Sequence, residues 1–291
     1  NYLEKKYKQI NILYFLHRKK KIKQNYTFEI QSLLDCDIIF ICSPNQTHFK
    51  YLKKFLNKKF IFCEKPPVSN LNQIKFLEKY DNGKVYYNYN MRFSKVYNFI
   101  KDCEKYKIGK LVDGEITFTH ALGLQKKYKM NWRSNRLISK KGVYEVVSIH
   151  ALDLVLSLFK DIEIISNKFS TKSKLGTSID SALTLVKVNK DSFIKIFTSY
   201  CAPYNYKIRF IYENAIIEIN ENKLKLFYPG VVINSKNITE KPKLFKEIKY
   251  NRSEDYTYSL HKSIDKFMNN FKNNKIFNNK RDALKSNKLI F

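Results

Sequence analysis

The chain has 291 residues, which is enough for two domains of ordinary size or for one large domain. Apolar residues make up 44% of it, so packed cores are expected, and no uncharged apolar run reaches the roughly 18 residues that would predict a transmembrane helix. The formal net charge of +29 comes almost entirely from lysine spread along the whole chain. Because arginine is scarce and no basic-aromatic motif appears, we expect no nucleic-acid partner and no membrane partner, only a solvated basic surface that attracts anionic small molecules.

The cysteines indicate a reducing compartment. Cys36, Cys42 and Cys63 lie in or beside apolar runs, and none of the five cysteines shows a CxxC spacing. They are therefore interpreted as buried thiols of a cytoplasmic protein, with no zinc or other metal site. The first residues show no charged-then-apolar signal pattern and do not begin with methionine, so we expect a processed chain or a fragment.

Short apolar runs alternate with amphipathic helical patterns through the first third of the chain. Strands are predicted at 10–16, 36–44, 60–65 and 84–90. Helices are predicted at 27–34, 48–59 and 70–80, the last with Ser69 or Asn70 as its N-cap. Buried strands separated by helices predict a doubly wound parallel sheet with helices on both faces, over residues 1–92.

The pattern changes in residues 93–291, where longer alternating strands follow one another after a helix near 94–106. Strands are predicted at 112–121, 162–170, 181–188, 192–202, 206–219 and 223–228. Helical patterns occur at 145–159 and 255–271. This order predicts an α+β domain with a large, mostly antiparallel sheet, and the C-terminal segment is free to return to the first domain.

Four short motifs follow one another along the chain. They are "SPNQTH" at 43–48, "CEKP" at 63–66, "YNYNMRF" at 87–93, and Trp132-Arg133-Ser134 followed by "GVYEVVSIHALD" at 142–153. The first three come at the carboxyl ends of predicted parallel strands, which is where open α/β sheets bind ligands.

Together the motifs resemble the Gfo/Idh/MocA family of sugar and polyol oxidoreductases, from about residue 10 to the C-terminus. The family has Thr/Ser-Pro-Asn with a following histidine, Glu-Lys-Pro, an Arg-Phe pair, and a glycine-rich turn that leads to His-x-x-Asp. The matching residues are Ser43-Pro44-Asn45 with His48, Glu64-Lys65-Pro66, Arg92-Phe93, and Gly142 leading to His150 and Asp153. The resemblance implies a Rossmann-like domain, incomplete at its N-terminus, followed by an α+β domain whose large sheet has an open face.

The resemblance also implies which residues contact the cofactor, NAD or NADP. They are Ser43, Pro44, Asn45, His48, Glu64 and Lys65. Lys65 is implied to touch the reacting hydroxyl or carbonyl, where a cation stabilises alkoxide character. An alternative is that Lys65 is a surface lysine on a tight turn.

His150 is implied to be the proton-transfer residue, and Asp153, one helical turn on, to hold its imidazole. Arg92, Trp132 and Asp153 are implied to bind substrate. The family has an aspartate four residues before this histidine, whereas this chain has Val146 there; Glu145 takes the catalytic role if the turn shifts by one residue. The alternative is that His150 is a packed core histidine.

The glycine-rich loop of dinucleotide-binding folds is missing, because no glycine precedes Gly83. Residues 1–8 resemble the end of the first helix, so we expect the first strand and the loop to lie upstream of Asn1. After the next predicted strand, Arg18 stands where an acidic residue often binds the ribose. Arg18 favours NADP mildly, although an ordinary surface arginine explains it equally well.

The leading hypothesis is therefore an NAD(P)-dependent oxidoreductase that acts on a sugar or nucleotide sugar, in surface-glycan biosynthesis. The alternative is a non-catalytic homologue or a truncated fragment that serves as an assembly or binding module. In residues 192–200 and 206–219, apolar side chains occur at odd and at even positions, so both faces of the predicted sheet are partly apolar. We therefore expect a homo-oligomer that forms through the second-domain sheet.

Overall fold

The computed structural model describes residues 2–16, 25–230 and 232–291. The helices are α1 (Tyr2–Lys6), α2 (Asn45–Phe55), α3 (Leu71–Tyr80), α4 (Lys95–Cys103), α5 (Ile149–Phe159), α6 (Arg252–Lys272) and α7 (Lys280–Lys288). The strands are β1 (Tyr14–Phe15), β2 (Tyr26–Thr27), β3 (Ile38–Ile41), β4 (Phe60–Glu64), β5 (Val85–Asn88), β6 (Leu111–Thr119), β7 (Ile162–Ser170), β8 (Ser181–Val188), β9 (Ser192–Ser199), β10 (Asn205–Tyr212), β11 (Ile216–Ile219), β12 (Lys223–Phe227) and β13 (Leu244–Lys249).

The first sheet is parallel, with the order β3-β4-β5, and α2 and α3 connect its strands. Ile61, Phe62 and Cys63 of β4 are all buried, as expected for a strand covered on both faces. Helix α3 begins where the sequence predicts, because the Asn70 side chain accepts a hydrogen bond from Gln73 N at 3.0 Å. The predicted doubly wound architecture is confirmed.

Two predictions for the N-terminal region need correction. The predicted strand 10–16 contains only the two ladder residues of β1, which pair in parallel with β2. The predicted helix 27–34 is a 3₁₀ helix, Ile30–Asp35, which buries only Leu33. Short 3₁₀ turns commonly serve as connectors, and this segment has too few buried apolar residues to support a longer helix.

The second sheet has eight strands in the order β13-β12-β11-β10-β6-β9-β8-β7. Only β6 and β9 pair in parallel, and the other neighbours are antiparallel. The predicted large, mostly antiparallel sheet is confirmed. Helix α5 is buried along most of its length, whereas Leu183 and Phe193 on the opposite face of the sheet are 40% and 39% exposed.

The two C-terminal helices pack on the first sheet. Ser263 of α6 lies 3.0 Å from the hydroxyl of Tyr86 on β5, and the Phe267 ring of α6 packs edge-on against Phe62 at a centroid distance of 5.5 Å. Helix α7 contacts both β5 and α3. The sequence analysis did not predict α7, since 280–288 is mostly polar and its helical form depends on contacts from elsewhere in the chain.

A buried ion pair joins α5 and α7 to the turn after β5. Arg92 Nη2 donates to Asp153 Oδ1 at 2.6 Å, and Ser286 of α7 donates to the same oxygen at 2.6 Å. The Asp153 side chain is 1% exposed and the Arg92 side chain 21%. Burial raises the pKa of Asp153, while Arg92 and Ser286 oppose that rise.

We expect Asp153→Leu to lower the free energy of unfolding by about 3–5 kcal/mol, because it leaves the Arg92 charge buried without its partner. The double variant Arg92→Met/Asp153→Leu should lose much less, and urea denaturation of the two variants measures the difference. Arg209→Met is the control, since its pair with Glu218 is largely exposed and worth less than about 1 kcal/mol. If the double variant lost as much free energy of unfolding as the single variants Arg92→Met and Asp153→Leu added together, the two side chains would not be coupled.

Candidate active site

The first motif lies between β3 and α2. Ser43 Oγ is 2.5 Å from Thr47 Oγ1, and Pro44 precedes the helix without providing a side-chain cap. The amide nitrogen Nδ2 of Asn45 is buried and has no hydrogen-bond partner among the described residues. A buried donor of this kind, at an uncapped helix N-terminus, is suited to an oxygen acceptor of a ligand.

His48 connects the first motif to the second. Its ring is 1% exposed, with Nδ1 at 2.8 Å from the carbonyl oxygen of Pro66 and Nε2 at 2.6 Å from that of Ser43. Burial lowers the pKa of His48, although the two carbonyl oxygens oppose the shift. This side chain therefore connects two loops, one of them at the cis peptide bond between Lys65 and Pro66, and the implied cofactor contact of His48 stays a prediction.

Glu64 ends β4 and is positioned by a chain of hydrogen bonds. Asn88 Nδ2 donates to Glu64 Oε1 at 2.8 Å, and Ser263 Oγ donates to Asn88 Oδ1 at 2.6 Å. Asn88 is 1% exposed. The orientation of Glu64 is therefore set jointly by β5 and α6.

Lys65 reaches from the parallel sheet to the second domain, where its Nζ donates to the carbonyl oxygen of Val146 at 2.7 Å. Burial lowers the pKa of Lys65 to about 8, the nearby Arg133 charge adds to the effect, and Glu64 opposes it. An ammonium group with such a pKa exchanges its proton close to physiological pH, which an ordinary surface lysine does not do.

The turn that carries Val146 is a π-helix, Tyr144–Ser148, which continues directly into α5. The sequence predicts one α-helix over 145–159. The structure has a helical segment at this place, but its first turn is π-helical and not α-helical. A π-helical turn contains one more residue than an α-helical turn, which is the one-residue shift that a catalytic role for Glu145 requires. Glu145 is 7% exposed, its Oε1 accepts from Ser139 Oγ at 2.5 Å, and burial raises its pKa.

His150 lies at the start of α5 and is half-buried. Burial, followed by the positive charges of Lys65 and Arg252, holds the pKa of His150 well below its usual value, so the ring is neutral at physiological pH. The implied contact with Asp153 is wrong, because both carboxylate oxygens of Asp153 face Arg92. Within the described ranges no side chain or backbone group is hydrogen-bonded to the His150 ring.

The predicted substrate residues divide into two groups. Arg92 and Asp153 pair with each other, and Arg92 Nη1 also donates to Asp282 at 3.3 Å, while their substrate-binding role stays a prediction. Trp132 is half-exposed, and the guanidinium of Arg133 stacks on its ring at 4.4 Å. Arg18 lies outside the described residues.

Sequence analysis missed Arg133 and Arg252. The Arg252 guanidinium lies over the ring of Tyr206 at 4.5 Å and over that of Tyr256 at 5.5 Å. The sequence did contain a signal that could have pointed to both residues. Each arginine is close to aromatic residues along the chain, in a protein whose positive charges are mostly lysine. None of the helices in the described ranges is both long and apolar enough to cross a membrane.

Comparison with known proteins supports the resemblance. Residues 15–84 match the family model described as an oxidoreductase family with an NAD-binding Rossmann fold. An oxidoreductase from Formosa agariphila is 25% identical over 224 residues, which are 73% of this chain and 67% of that protein.

Two solved structures share the fold at low sequence identity. One is levoglucosan dehydrogenase in complex with NADH and levoglucosan, with 14% identity, a TM-score of 0.72, and 91% of this chain and 80% of that chain covered. The other is a 3-ketoreductase from Actinomadura kijaniata in complex with NADP and TDP-benzene, with 13% identity, a TM-score of 0.73, and 92% and 81% covered. The family model over residues 15–84, the F. agariphila relative and the ordered motifs agree, and together they support a Gfo/Idh/MocA family oxidoreductase with an NAD-binding Rossmann fold.

Proposed function

We propose that this protein transfers hydride between a nicotinamide cofactor and a CH–OH or ketone carbon of a sugar or nucleotide sugar. One observation carries the proposal. Lys65 follows β4 of the parallel sheet and His150 lies in the first turn of α5, yet Lys65 Nζ donates to the carbonyl oxygen of Val146 at 2.7 Å, one helical turn before His150. Two proton-exchanging groups at the carboxyl end of β4 are the arrangement that alcohol–ketone interconversion needs.

The cofactor fit rests on the first motif. The buried, unpartnered Nδ2 of Asn45 and the uncapped N-terminus of α2 lie at the carboxyl end of β3, where a dinucleotide lies in folds of this type. We assign Ser43, Pro44, Asn45 and Glu64 to this side of the site, with His48 as a positioning residue. A bound nicotinamide would supply or accept the hydride. Arg18 favours NADP over NAD on sequence grounds alone.

The residues of the chain handle the proton and the charge. In the reducing direction the Lys65 ammonium exchanges its bond to the Val146 carbonyl for one to the substrate oxygen, and so polarises the carbonyl group. In the oxidising direction the neutral His150 ring accepts the hydroxyl proton. Glu145, whose pKa is raised by burial, lies at the other end of the π-helical turn.

A non-catalytic homologue is the second candidate, because Val146 stands at the position of the family's aspartate. Titration with NADH and NADPH, followed by turnover assays in both directions on neutral, acidic and nucleotide sugars, separates the two. Cofactor oxidation or reduction that requires a sugar supports the enzyme, whereas cofactor or sugar binding without turnover supports the second candidate. A cytoplasmic role in glycan synthesis, and the domain boundary near residue 92, remain parts of this proposal.

Lys65 should give the reducing reaction a characteristic pH profile. Its ammonium is present below a pH of about 8 and is lost above it, so kcat/KM for reduction should fall as pH rises through that value. Lys65→Arg keeps the charge and should move the fall to higher pH, while Lys65→Ala should lower turnover by about 100-fold. Lys101→Ala, which removes an exposed partner of Glu104, is the control. A profile identical in the wild type and Lys65→Arg would remove Lys65 from this role.

His150→Ala should slow oxidation of the sugar, and the loss should shrink at high pH, where hydroxide replaces the missing base. His261→Ala is the matched control, because that ring stacks on Tyr2 of α1, at 3.6 Å between centroids. If His150 were only a packed residue, its replacement would lower the Tm and leave turnover of the folded fraction unchanged.

The open sheet face should mediate self-association, as the family resemblance implies. Leu183 and Phe193 point to the same face, since Phe193 pairs with Lys187 and residues 183 and 187 share a parity. We expect a dimer or larger oligomer by light scattering, and Leu183→Asp/Phe193→Asp should shift it to monomer. Met130→Asp, at a site 90% exposed in the second domain, should not. A wild-type monomer at tens of micromolar (roughly where specific interfaces saturate) would refute the expectation.

A further inference from the structure

Arg133 and Arg252 are half-buried, yet neither forms an ion pair with a carboxylate in the part of the chain that the structure describes. Arg92 and Arg209 show the contrast, because each is paired with an acidic side chain, Asp153 and Glu218 respectively. A partly desolvated cation without a counter-charge is costly to a folded chain. The two unpaired arginines therefore require an explanation other than packing.

Arg252, at the start of α6, is linked to the candidate active site through contacts across neighbouring strands. Arg252 lies on Tyr206 of β10, and the Tyr206 ring stacks on Phe118 of β6 at 4.6 Å. Phe118 pairs in register with Thr198 of β9, whose hydroxyl is 2.6 Å from Ser148 in the π-helical turn. Adjacent strands are about 4.8 Å apart. Tyr206 on β10, which lies under Arg252, is therefore about two strand spacings from Thr198 on β9, which contacts the π-helical turn.

Arg133 approaches from the segment that follows β6. It stacks on Trp132, and its charge lowers the pKa of Lys65 and of His120. The charges of Arg133 and Arg252 both act on Tyr256, as does that of Glu64 at the end of β4. Tyr128, whose hydroxyl donates to the carbonyl oxygen of Arg133 at 3.3 Å, packs edge-on against Tyr200, which directly follows β9. The Arg133 segment therefore lies at the end of β9 that carries Thr198.

The carboxylates near the two arginines form no ion pair with either of them in the part of the chain that the structure describes. Glu64 is hydrogen-bonded to Asn88. Glu221 accepts the backbone N–H of Arg252 through its own carbonyl oxygen at 3.0 Å, and its carboxylate is in no ion pair with Arg252. Asp255, one helical turn after Arg252, acts on Tyr206 together with it. Its Oδ1 accepts the backbone N–H of Lys95 at 2.7 Å, and among the described residues it forms no ion pair with Arg133 or Arg252.

We propose, building on the proposed function, that the sugar substrate carries an anionic group, a carboxylate or a phosphate, which Arg133 and Arg252 bind. Guanidinium groups held flat on aromatic rings present their donors in a fixed fork that matches both anions. A neutral sugar leaves Arg133 and Arg252 without an ion-pair partner, whereas an anionic sugar supplies one and is oriented by it. The aromatic rings of Trp132 and Tyr256 remain available to pack against a sugar ring.

Isothermal titration calorimetry of the full chain with glucose, glucuronate, UDP-glucose and UDP tests the proposal. At least one anionic ligand should bind about tenfold or more tightly than glucose, and Arg133→Gln and Arg252→Gln should each weaken that binding about tenfold. Glucuronate tests the carboxylate and UDP the diphosphate. Arg209→Gln, on the open sheet face, is the matched control and should leave binding unchanged. Circular dichroism and Tm check folding, and Arg133→Lys and Arg252→Lys, which keep the charge, replace any glutamine variant that does not fold.

The outcomes separate this inference from the proposed function. Binding of glucose as tight as that of both anions, or anion binding that is indifferent to both arginines, overturns the anionic-substrate proposal even if a neutral sugar is turned over. Arginine-dependent anion binding, with no turnover of any sugar with NAD or NADP in either direction, supports the anion site and overturns the proposed oxidoreductase activity instead.

Discussion

The hydrogen bond between Lys65 Nζ and the carbonyl oxygen of Val146 joins the two halves of the candidate site. Lys65 belongs to the parallel sheet, whereas Val146 lies in the π-helical turn beside the antiparallel sheet. Carbonyl oxygens inside an α-helix are normally bonded within the helix, and a π turn alters that register. The placement of Lys65 against the second domain therefore depends on the backbone of this turn.

The turn is itself held by distant parts of the chain. Tyr144 OH donates to the carbonyl oxygen of Leu289 at 3.0 Å, and Lys141 donates to that of Ile290, so the C-terminal residues support it. Gly142 begins the turn with a φ of +49°, and a Cβ there would collide with the Ile179 carbonyl. Residue 142 combines the left-handed conformation with a close approach of another backbone, and glycine meets both requirements without strain.

The parts of this structure that sequence could predict are those determined locally. The buried strand Phe60–Glu64 and the helix capped by Asn70 follow from apolar runs and a capping residue. Helix α7 is polar, so its position depends on a contact with Asp153, which is 133 residues away in the chain. The π turn has no compositional signature, and the place of Arg252 becomes evident only when strand pairing brings Tyr206 beneath it. The order of the motifs predicted that Lys65 and His150 belong to one site. No spacing rule could show that Asp153 would form an ion pair with Arg92 and not a hydrogen bond with His150.

The replacement of the family's aspartate by Val146 has an electrostatic consequence. A carboxylate at that position would pair with Lys65 and raise its pKa, whereas here burial and Arg133 lower the pKa to about 8. The same crowding of cations, from Lys65 and Arg252, keeps His150 neutral and able to accept a proton. Val146 brings no charge to this position, whereas the neighbouring side chains of Lys65, Arg133 and Arg252 are cationic. A substrate that brings its own anion restores the balance at the moment of binding, so loss of the aspartate is compatible with catalysis when the sugar is acidic.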